Sequence, residues 1–155
     1  MNMKQRIYVD TSVIGGYFDK EFADATQQLF DLVRKGEIVI VYSEITEDEL
    51  FDAPKNVRIF FNELPKSQLE IVELTEQANQ LADTYISEKV VGKTNRSDCL
   101  HIALATINKV DILVSWNFKH IVNIGKIRGY NSVNLKLGYP TLEIRTPKEI
   151  LFYEA

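Results

Sequence analysis

The sequence lacks the features of an exported or membrane-bound protein. Its single cysteine, Cys99, cannot form a disulfide within the chain. Met1 leads directly into polar residues and not into the apolar core of a signal peptide. Charged residues interrupt every apolar run well before the roughly 20 residues needed to span a bilayer. These absences predict a cytoplasmic protein with no membrane role.

The chain as a whole also lacks a net positive charge. The formal net charge of -4 counts against non-specific binding of nucleic acid, which depends on the neutralisation of phosphates. Acidic residues, however, are absent from residues 112–142, and that stretch carries Lys119, Lys126, Arg128 and Lys136. Two interpretations stay open for this acid-free stretch: a locally positive face, or scattered lysines and arginines in solvent.

Repeats, linkers and low-complexity segments are absent as well. The chain has 155 residues, of which 45% are apolar, so it can bury a core without metal or disulfide staples. This combination predicts one domain over residues 1–155.

Short apolar strands alternate with helices along the chain. The predicted strands cover residues 7–9, 38–42, 69–74, 110–114 and 142–144, and the third of them is expected near an edge of the sheet. Helices are predicted over about 21–35, from Thr46, between Pro54 and Pro65, from Thr75 to just before Gly92, from a cap at Ser97, and from Pro147. A loop is expected around residues 15–16. The alternation predicts an α/β fold with a parallel sheet covered on both faces.

Four polar residues from distant segments are expected at one edge of this sheet. The carboxyl ends of parallel strands and the amino ends of the helices that follow them lie along the same edge, where ligands bind. Asp10 ends the first strand, and Glu49 is predicted in the first turn of the helix after the second. Asp98 is predicted in the first turn of a later helix, and Asn117 follows the fourth strand.

Structural roles compete with a functional one for three of these residues. Thr46 and Glu49 match the T-x-x-E capping box. Asp98 is well placed against the positive end of a helix dipole. Asn117 can cap a helix or occupy a turn. Asp10 differs, because a carboxylate that ends a wholly apolar strand must find hydrogen-bond donors, a cation or solvent.

Clustered carboxylates repel one another unless a cation neutralises them. Clusters with oxygen ligands alone suit Mg²⁺ or Mn²⁺, which keep several waters and bridge to phosphate oxygens. One or two such ions would polarise a phosphoryl group and lower the pKa of an attacking water, so no protein nucleophile is needed. The acidic residues therefore favour hydrolysis of phosphodiester bonds.

Other candidates near this edge favour structural roles. His101 stands three residues after Asp98, but with only two histidines in the chain a hydrogen-bonded role is favoured over a metal pair. Cys99 has no evident histidine partner and is predicted to pack as a small helix residue. The hydroxyls of Ser43 and Ser115 could orient an acid or a water, or serve in caps and turns.

Among the aromatic residues of the acid-free stretch, Trp116, Phe118 and Tyr130 are candidates for contact with bases. Aromatic faces can stack on nucleobases. Isolated aromatic residues are more often part of a core, so both interpretations stay open.

Four segments resemble, in order and spacing, the blocks of PIN-domain proteins of the VapC type, a family of toxin ribonucleases. They are residues 6–22, 43–50, 95–105 and 113–124. The most specific are the D-T-S-V block at Asp10, followed by a small-residue loop, and the S-D-x-x-H-I-A-L-A block at Asp98. Residues 51–90 match in length and helical character only. The resemblance implies a three-layer α/β/α sandwich with a central, mostly parallel sheet.

The resemblance also implies an activity and a site. It implies Mg²⁺ or Mn²⁺ at a carboxylate cluster and endonucleolytic cleavage of RNA, with Asp10, Glu49 and Asp98 as the catalytic, metal-binding acids. The fourth block usually carries an aspartate, and Asn117 stands there with one negative charge fewer, although its amide can coordinate through oxygen or hold a water. The residues predicted to contact the RNA substrate are Thr11, Ser12, Ser115, Lys126 and Arg128.

Partners follow from the same resemblance. Toxins of this group are homodimers silenced by a small antitoxin whose tail enters the acidic groove, so a homodimer and a separate antitoxin protein are expected. The alternative is a catalytically silent PIN domain that acts as an RNA-binding or regulatory interaction module. Asn117 is the main support for that alternative.

Overall fold

The fold is built on one central sheet. The structure, a computed structural model, describes residues 4–154 and the side chains of residues 4–150. The sheet has five strands in the order β3-β2-β1-β4-β5, and all four neighbouring pairs are parallel. The strands are β1 (Gln5–Val9), β2 (Ile38–Ser43), β3 (Leu69–Val72), β4 (Ile112–Val114) and β5 (Ile144–Arg145).

At least one helix lies between each strand and the next along the chain, and these crossovers allow neighbouring strands to run parallel. The helices are α1 (Thr11–Gly16), α2 (Ala23–Arg34), α3 (Glu44–Phe51), α4 (Lys55–Asn62), α5 (Glu76–Ser87), α6 (Arg96–Ile107), α7 (Ile124–Lys136) and α8 (Pro147–Glu154). Short 3₁₀ turns lie at Lys66–Gln68 and Lys93–Asn95. Within residues 4–154 every helix falls short of the length and apolar character that crossing a bilayer requires.

The sheet separates two apolar cores, because successive residues of a strand point to opposite faces. On β1, Tyr8 packs with apolar residues of α5, α6 and α7, while Ile7 and Val9 pack with residues of α1, α2 and α4. Buried members of the first core include Leu81, Ile102 and Val133, and members of the second include Val13, Leu29 and Phe60. The predicted α/β/α sandwich with a parallel sheet is confirmed.

Several local predictions are also confirmed. Gly36 ends α2 with a φ of 80°, a conformation that favours glycine. Thr75 caps α5, since its hydroxyl accepts a hydrogen bond from the Ala78 amide at 3.2 Å. The third strand lies at an edge of the sheet, and Pro147 begins the last helix. These features follow from residues close together in the sequence.

Two helices differ from the prediction. The loop expected around residues 15–16 is part of α1, a helix of six residues whose N-cap is Asp10. No helix is predicted over 124–136, yet α7 occupies that range. Its apolar residues are not confined to one face, since Ile124 and Leu135 are largely exposed, so it gives a weak periodic signal. The helix begins at Asn123, whose side chain accepts hydrogen bonds from two backbone amides.

Element boundaries differ by smaller amounts. β2 continues to Ser43, so α3 starts at Glu44 and not at Thr46. The N-cap of α6 is Asn95 and not Ser97. The last strand lies at residues 144–145, where it pairs with β4, and not at 142–144. Pairing with a neighbouring strand fixes the ends of β2 and β5, and propensity alone does not.

Candidate acidic site at the carboxyl edge of the sheet

Asp10 lies at the centre of the carboxyl edge, directly after the central strand β1. Its side chain is 4% exposed. Its two carboxylate oxygens accept hydrogen bonds from the hydroxyls of Ser12, at 2.6 Å, and Ser115, at 2.7 Å. Burial raises the pKa of Asp10, and its hydrogen bonds and the influence of His101 only partly offset that rise. The strand-end carboxylate therefore has donors, but it keeps a desolvation penalty.

Both serines are held so that their protons point at Asp10. The Ser12 oxygen accepts the backbone amide of Trp116 at 3.0 Å, and the Ser115 oxygen accepts the amide of Asn117 at 2.9 Å. Since each oxygen already receives one proton, its own hydroxyl donates to the carboxylate. Hydrogen bonds through the two serines therefore connect residues 115–117, which follow β4, to Asp10, which follows β1.

Glu49 reaches the same edge from α3 and is held by three donors. Its Oε1 accepts hydrogen bonds from Thr11 at 2.8 Å and from His101 Nε2 at 2.6 Å. Its Oε2 accepts a longer bond, 3.3 Å, from Ser97. Desolvation opposes ionisation, but these hydrogen bonds outweigh it and lower the pKa of Glu49. Glu49 is therefore an anion with one oxygen only weakly engaged.

A buried chain of hydrogen bonds supports Glu49 from below. His101 is 1% exposed, and its Nδ1 lies 2.7 Å from the Tyr8 hydroxyl, which lies 2.8 Å from Ser43 Oγ. Burial raises the pKa of Tyr8 far above its ordinary value, so the phenol keeps its proton as a donor. The hydrogen-bonded role predicted for His101 agrees with these contacts: it fixes the position of the acid.

Asp98 approaches from the first turn of α6, as predicted. Burial raises the pKa of Asp98, and the charge of Glu49 adds to the rise. Asn117 Nδ2 donates to Asp98 at 3.3 Å, while Asn117 Oδ1 accepts the His120 amide at 2.9 Å. The backbone donor fixes the amide orientation, so Asn117 presents its NH₂ group, and not its carbonyl oxygen, to the acid.

The three acids lie close enough to perturb one another. Asp98 contributes to the raised pKa of Asp10, and Glu49 to that of Asp98. None of the salt bridges among residues 4–150 involves Asp10 or Asp98. The same residues contain no group of three His, Cys, Asp or Glu side chains that could hold a metal ion by themselves.

The chemistry of the acids shows whether a divalent cation could bind at this edge of the sheet. Mg²⁺ keeps several waters and is usually bound through one or two carboxylates together with substrate phosphates, so a complete protein cage is not required. Asp10 and Asp98 supply oxygen donors, carry raised pKa values and lack a lysine or arginine counter-charge among the described side chains. The donor set fits a hydrated Mg²⁺ or Mn²⁺ ion.

The prediction that Thr46 and Glu49 form a capping box is wrong. The box is formed by Ser43 and Thr46, where the Thr46 hydroxyl accepts the Ser43 amide at 3.2 Å. Because β2 runs to Ser43, Glu49 lies in the second turn of α3 and not in the first. Its carboxylate is therefore free to face Thr11 and His101.

The residues predicted to contact substrate have varied surroundings. The hydroxyls of Thr11, Ser12 and Ser115 are engaged by acids of the site, so their contact with RNA stays a prediction. Lys126 is half-buried and donates to the Val90 carbonyl at 2.7 Å, whereas Arg128 is exposed.

The sequence pattern did not predict a cleft of about 340 Å³ beside Lys126. Lys89 and Lys93 also line it, and its lining contains no acid. No local signal identifies this basic cleft, because it joins the end of α5, the turn before α6 and the start of α7.

Two other predictions concern core residues. Cys99 is buried, and burial raises the pKa of its thiol to about 12, which agrees with a packing role. Tyr130 is buried and its hydroxyl donates to the His120 carbonyl at 2.7 Å, so it is a core residue and not a surface for stacking.

Comparisons with known proteins give one family and one fold. The profile of the PIN domain family matches residues 6–119. A search of curated proteins gave no match. Among solved structures, VapBC from Salmonella typhimurium, bound to DNA, is similar with a TM-score of 0.58 at 16% identity, over 94% of this chain and 99% of that one.

Two further structures are similar. VapBC2 from Rickettsia felis, bound to a DNA fragment from its promoter, has a TM-score of 0.57 at 18% identity, over 92% of this chain and 98% of that one. VapC20 from Mycobacterium tuberculosis, described as a Sarcin-Ricin loop cleaving toxin, has a TM-score of 0.56 at 11% identity, over 73% of this chain and 91% of that one. At these identities the similarity shows a shared fold.

Proposed function

Since the chain belongs to the PIN domain family, we propose that it is a metal-dependent endoribonuclease and the toxin of a VapBC-type toxin–antitoxin pair. One observation carries the proposal: two carboxylates with raised pKa values, Asp10 and Asp98, lie at the carboxyl edge of a parallel sheet without a lysine or arginine counter-charge among the described side chains. This edge is where ligands bind in such folds.

In this proposal Asp10, Asp98 and the Oε2 of Glu49 hold Mg²⁺ or Mn²⁺ directly or through its waters. The bound ion would polarise the scissile phosphate and favour ionisation of an attacking water. Residues of the chain orient the ligands: Ser12 and Ser115 hold Asp10. Asn117 completes the proposed catalytic set, where it donates to Asp98.

Support for the position of Glu49 comes from the buried side of the site. His101 and Thr11 both donate to Oε1, so Oε2 faces the remaining space with one long hydrogen bond. Partners that orient a ligand in this way typically change metal affinity or activity by about 10–100-fold when they are removed. The chain from Ser43 through Tyr8 to His101 is the support that keeps the acid in place.

The proposal is tested by a cleavage assay with purified protein. Structured and single-stranded RNAs are incubated with Mg²⁺, with Mn²⁺ or with EDTA, and internal cuts are mapped. Cleavage that needs a divalent ion and is lost in Asp98→Asn supports the proposal. Asp52→Asn is the matched control, since Asp52 is an exposed carboxylate at the end of α3. Equal cleavage with EDTA would contradict metal dependence.

Partners form the second part of the proposal. VapBC structures with the same fold contain an antitoxin with the toxin, and the proposal extends to a separate small antitoxin and a homodimer here. A neighbouring reading frame for a small basic or DNA-binding protein is the first indication to seek. Co-expression with that product should inhibit RNA cleavage, and light scattering should give the mass of a dimer for the chain alone.

A silent PIN domain is the second candidate, and the orientation of Asn117 favours it. Its NH₂ group faces Asp98 where the family usually has another acid, so the site carries less negative charge. This candidate predicts RNA or protein binding without cleavage under any metal. It also predicts that activity stays absent when the fourth acid is restored.

Neutralisation of Lys126 and Arg128 together is expected to weaken RNA binding and reduce its salt dependence. The plot of log K against log salt has a negative slope. For every phosphate that the variant no longer neutralises, this slope should become shallower by about 0.7 on single-stranded RNA. Affinity is measured in EDTA at several salt concentrations for the Lys126→Gln, Arg128→Gln double variant. Lys35→Gln is the control, since this exposed lysine follows α2 at the opposite edge of the sheet.

The Arg128→Gln single variant separates charge from structure in that experiment. Lys126 also bonds to the Val90 carbonyl, so its loss can alter the basic cleft itself. A reduced slope in Arg128→Gln, with unchanged unfolding, assigns the effect to phosphate binding. A slope equal to that of the wild type in the double variant would assign both residues to ordinary surface.

A further inference from the structure

Three aromatic side chains meet beside the acidic site: Phe22, Trp116 and Phe118, here called the aromatic platform. The rings of Phe22 and Trp116 are stacked, with centroids 4.4 Å apart and planes at 20°. The Phe118 ring lies 6.2 Å from each of them. Phe118 is 50% exposed, so the platform ends in an aromatic surface open to solvent.

Trp116 is held rigidly in this platform. Its indole Nε1 donates to Thr26 at 2.9 Å, and Thr26 donates to the Phe22 carbonyl at 2.6 Å. A Cβ atom on Gly16 would lie 2.8 Å from the indole, so only glycine leaves room for the ring. A rigid aromatic surface loses little conformational entropy when a ligand stacks on it.

The platform is continuous with the acidic site. The Trp116 amide donates to Ser12, which in turn donates to Asp10. Asn117, which donates to Asp98, lies between Trp116 and Phe118 in the chain. The segment that carries Trp116 and Phe118 is therefore hydrogen-bonded to the residues that hold Asp10 and to Asp98 itself.

A cavity of about 500 Å³ next to Phe22 and Trp116 favours a base over a phosphate. Glu21, Asp24 and Lys148 also line it, so acids outnumber the basic residue. Two carboxylates repel a phosphate, whereas they accept hydrogen bonds from the amino groups of adenine, guanine or cytosine.

We infer that the aromatic platform is a stacking subsite for one unpaired nucleobase of the RNA substrate, next to the scissile phosphate. The inference rests on the proposed function, because it takes RNA as the substrate. Stacking tolerates any base, since every base has a π face, and it requires an unpaired one, since the faces of a base in a duplex are covered by its neighbours. The subsite selects single-stranded or loop RNA, and the acids that line the neighbouring cavity favour adenine, guanine or cytosine over uracil, which has no amino group.

Intrinsic fluorescence tests the inference directly, because Trp116 is the only tryptophan in the chain. A short single-stranded RNA is titrated into the wild-type protein in EDTA, so that binding is read without cleavage. We expect saturable quenching of Trp116 by this RNA. We expect weaker quenching by the same RNA as a duplex, by a version with abasic positions, and by inorganic tripolyphosphate.

Variants of Phe118 provide the matched comparison. Phe118→Leu keeps an apolar side chain but loses the aromatic face, and it is expected to weaken RNA affinity by about fivefold, at the low end of stacking effects. Phe118→Tyr keeps the face and should bind like the wild type. Phe118 is half exposed, and unfolding curves should show that both variants fold normally.

Several results would overturn the inference. Equal affinities of the Leu and Tyr variants, no fluorescence change on RNA binding, or equal quenching by abasic and normal RNA would each exclude stacking. A metal-dependent cleavage assay on the same proteins separates the two proposals. Cleavage by the wild type with no effect of Phe118→Leu on binding removes only the stacking subsite. Quenching by unpaired RNA without any cleavage retains base stacking on the aromatic platform and removes the nuclease.

Discussion

Asp10→Asn is expected to lower metal-dependent RNA cleavage by more than about 100-fold, because even the outer partners of metal ligands commonly cost about 10–100-fold when they are removed. The carboxylate is buried at the end of the central strand, and both of its oxygens are oriented by serine hydroxyls. Asparagine has nearly the same shape but one oxygen fewer and no charge. The variant should therefore lose the charge that attracts the cation but keep its shape, and the serine that faces the new NH₂ group must accept a hydrogen bond where it donated one before.

The same variant is expected to be as stable as the wild type, or more stable, in the absence of metal at neutral pH. Burial raises the pKa of Asp10 in the folded state, so the folded state binds this proton more tightly than the unfolded chain does. Ionised Asp10 thus destabilises the fold above the raised pKa. Stability of the wild type should rise as the pH falls through the raised pKa towards the ordinary value of an aspartate.

Thermal unfolding in EDTA over a pH series measures this effect. The advantage of Asp10→Asn should be largest at neutral pH and should shrink as the pH falls. Added Mn²⁺ should stabilise the wild type but not the variant. Asp52→Asn, which changes an exposed carboxylate, is the control for charge alone and should match the wild type in cleavage. Parallel losses of cleavage and of stability in Asp10→Asn would instead assign Asp10 a structural role.

Asn117→Asp is expected to tighten Mg²⁺ or Mn²⁺ binding by about 1 to 2 kcal/mol, or roughly 5- to 30-fold. At an effective dielectric constant of about 20, two unit charges about 4 Å apart gain on the order of 4 kcal/mol, and a divalent ion doubles that figure. Desolvation, repulsion from the other acids and the loss of the donor to Asp98 oppose the gain. The net effect is therefore much smaller than the Coulomb attraction.

The contacts of Asn117 add a second expectation for this variant. An aspartate can still accept the His120 amide, as Asn117 Oδ1 does, but its other oxygen would face Asp98 in place of the NH₂ group. The metal-free variant should therefore be less stable than the wild type at neutral pH. Mn²⁺ should raise its unfolding temperature by a larger increment.

Calorimetric titration of Mn²⁺ and cleavage at limiting metal distinguish the outcomes. Asn117→Ala is the matched control, because it removes the amide without adding charge. Higher affinity together with faster cleavage would mean that the natural site is under-charged. Higher affinity with no cleavage would favour the silent domain. Weaker metal binding in Asn117→Asp would contradict the placement of residue 117 at the metal site.

The sequence by itself determined the features that depend on neighbouring residues. The apolar run before Asp10 predicts a buried strand that ends in a carboxylate, and Gly36 predicts the end of α2, because strand and cap chemistry act over a few residues. The alternation of strands and helices predicts the parallel sheet and the edge at which its polar residues meet. The resemblance in four blocks predicts the PIN family, which the family profile confirms.

Only the tertiary structure decided which partners each polar atom has. Glu49 matches a capping box in the sequence, but its carboxylate lies against Thr11 and His101, which come from other segments. The amide of Asn117 is equally able to present oxygen or nitrogen until the His120 amide fixes it. Trp116 and Phe118 are candidates for stacking in the sequence, but their contact with Phe22 has no local signal, and α7 has only a weak one. Contacts between residues far apart in the chain depend on packing, and local propensity does not encode packing.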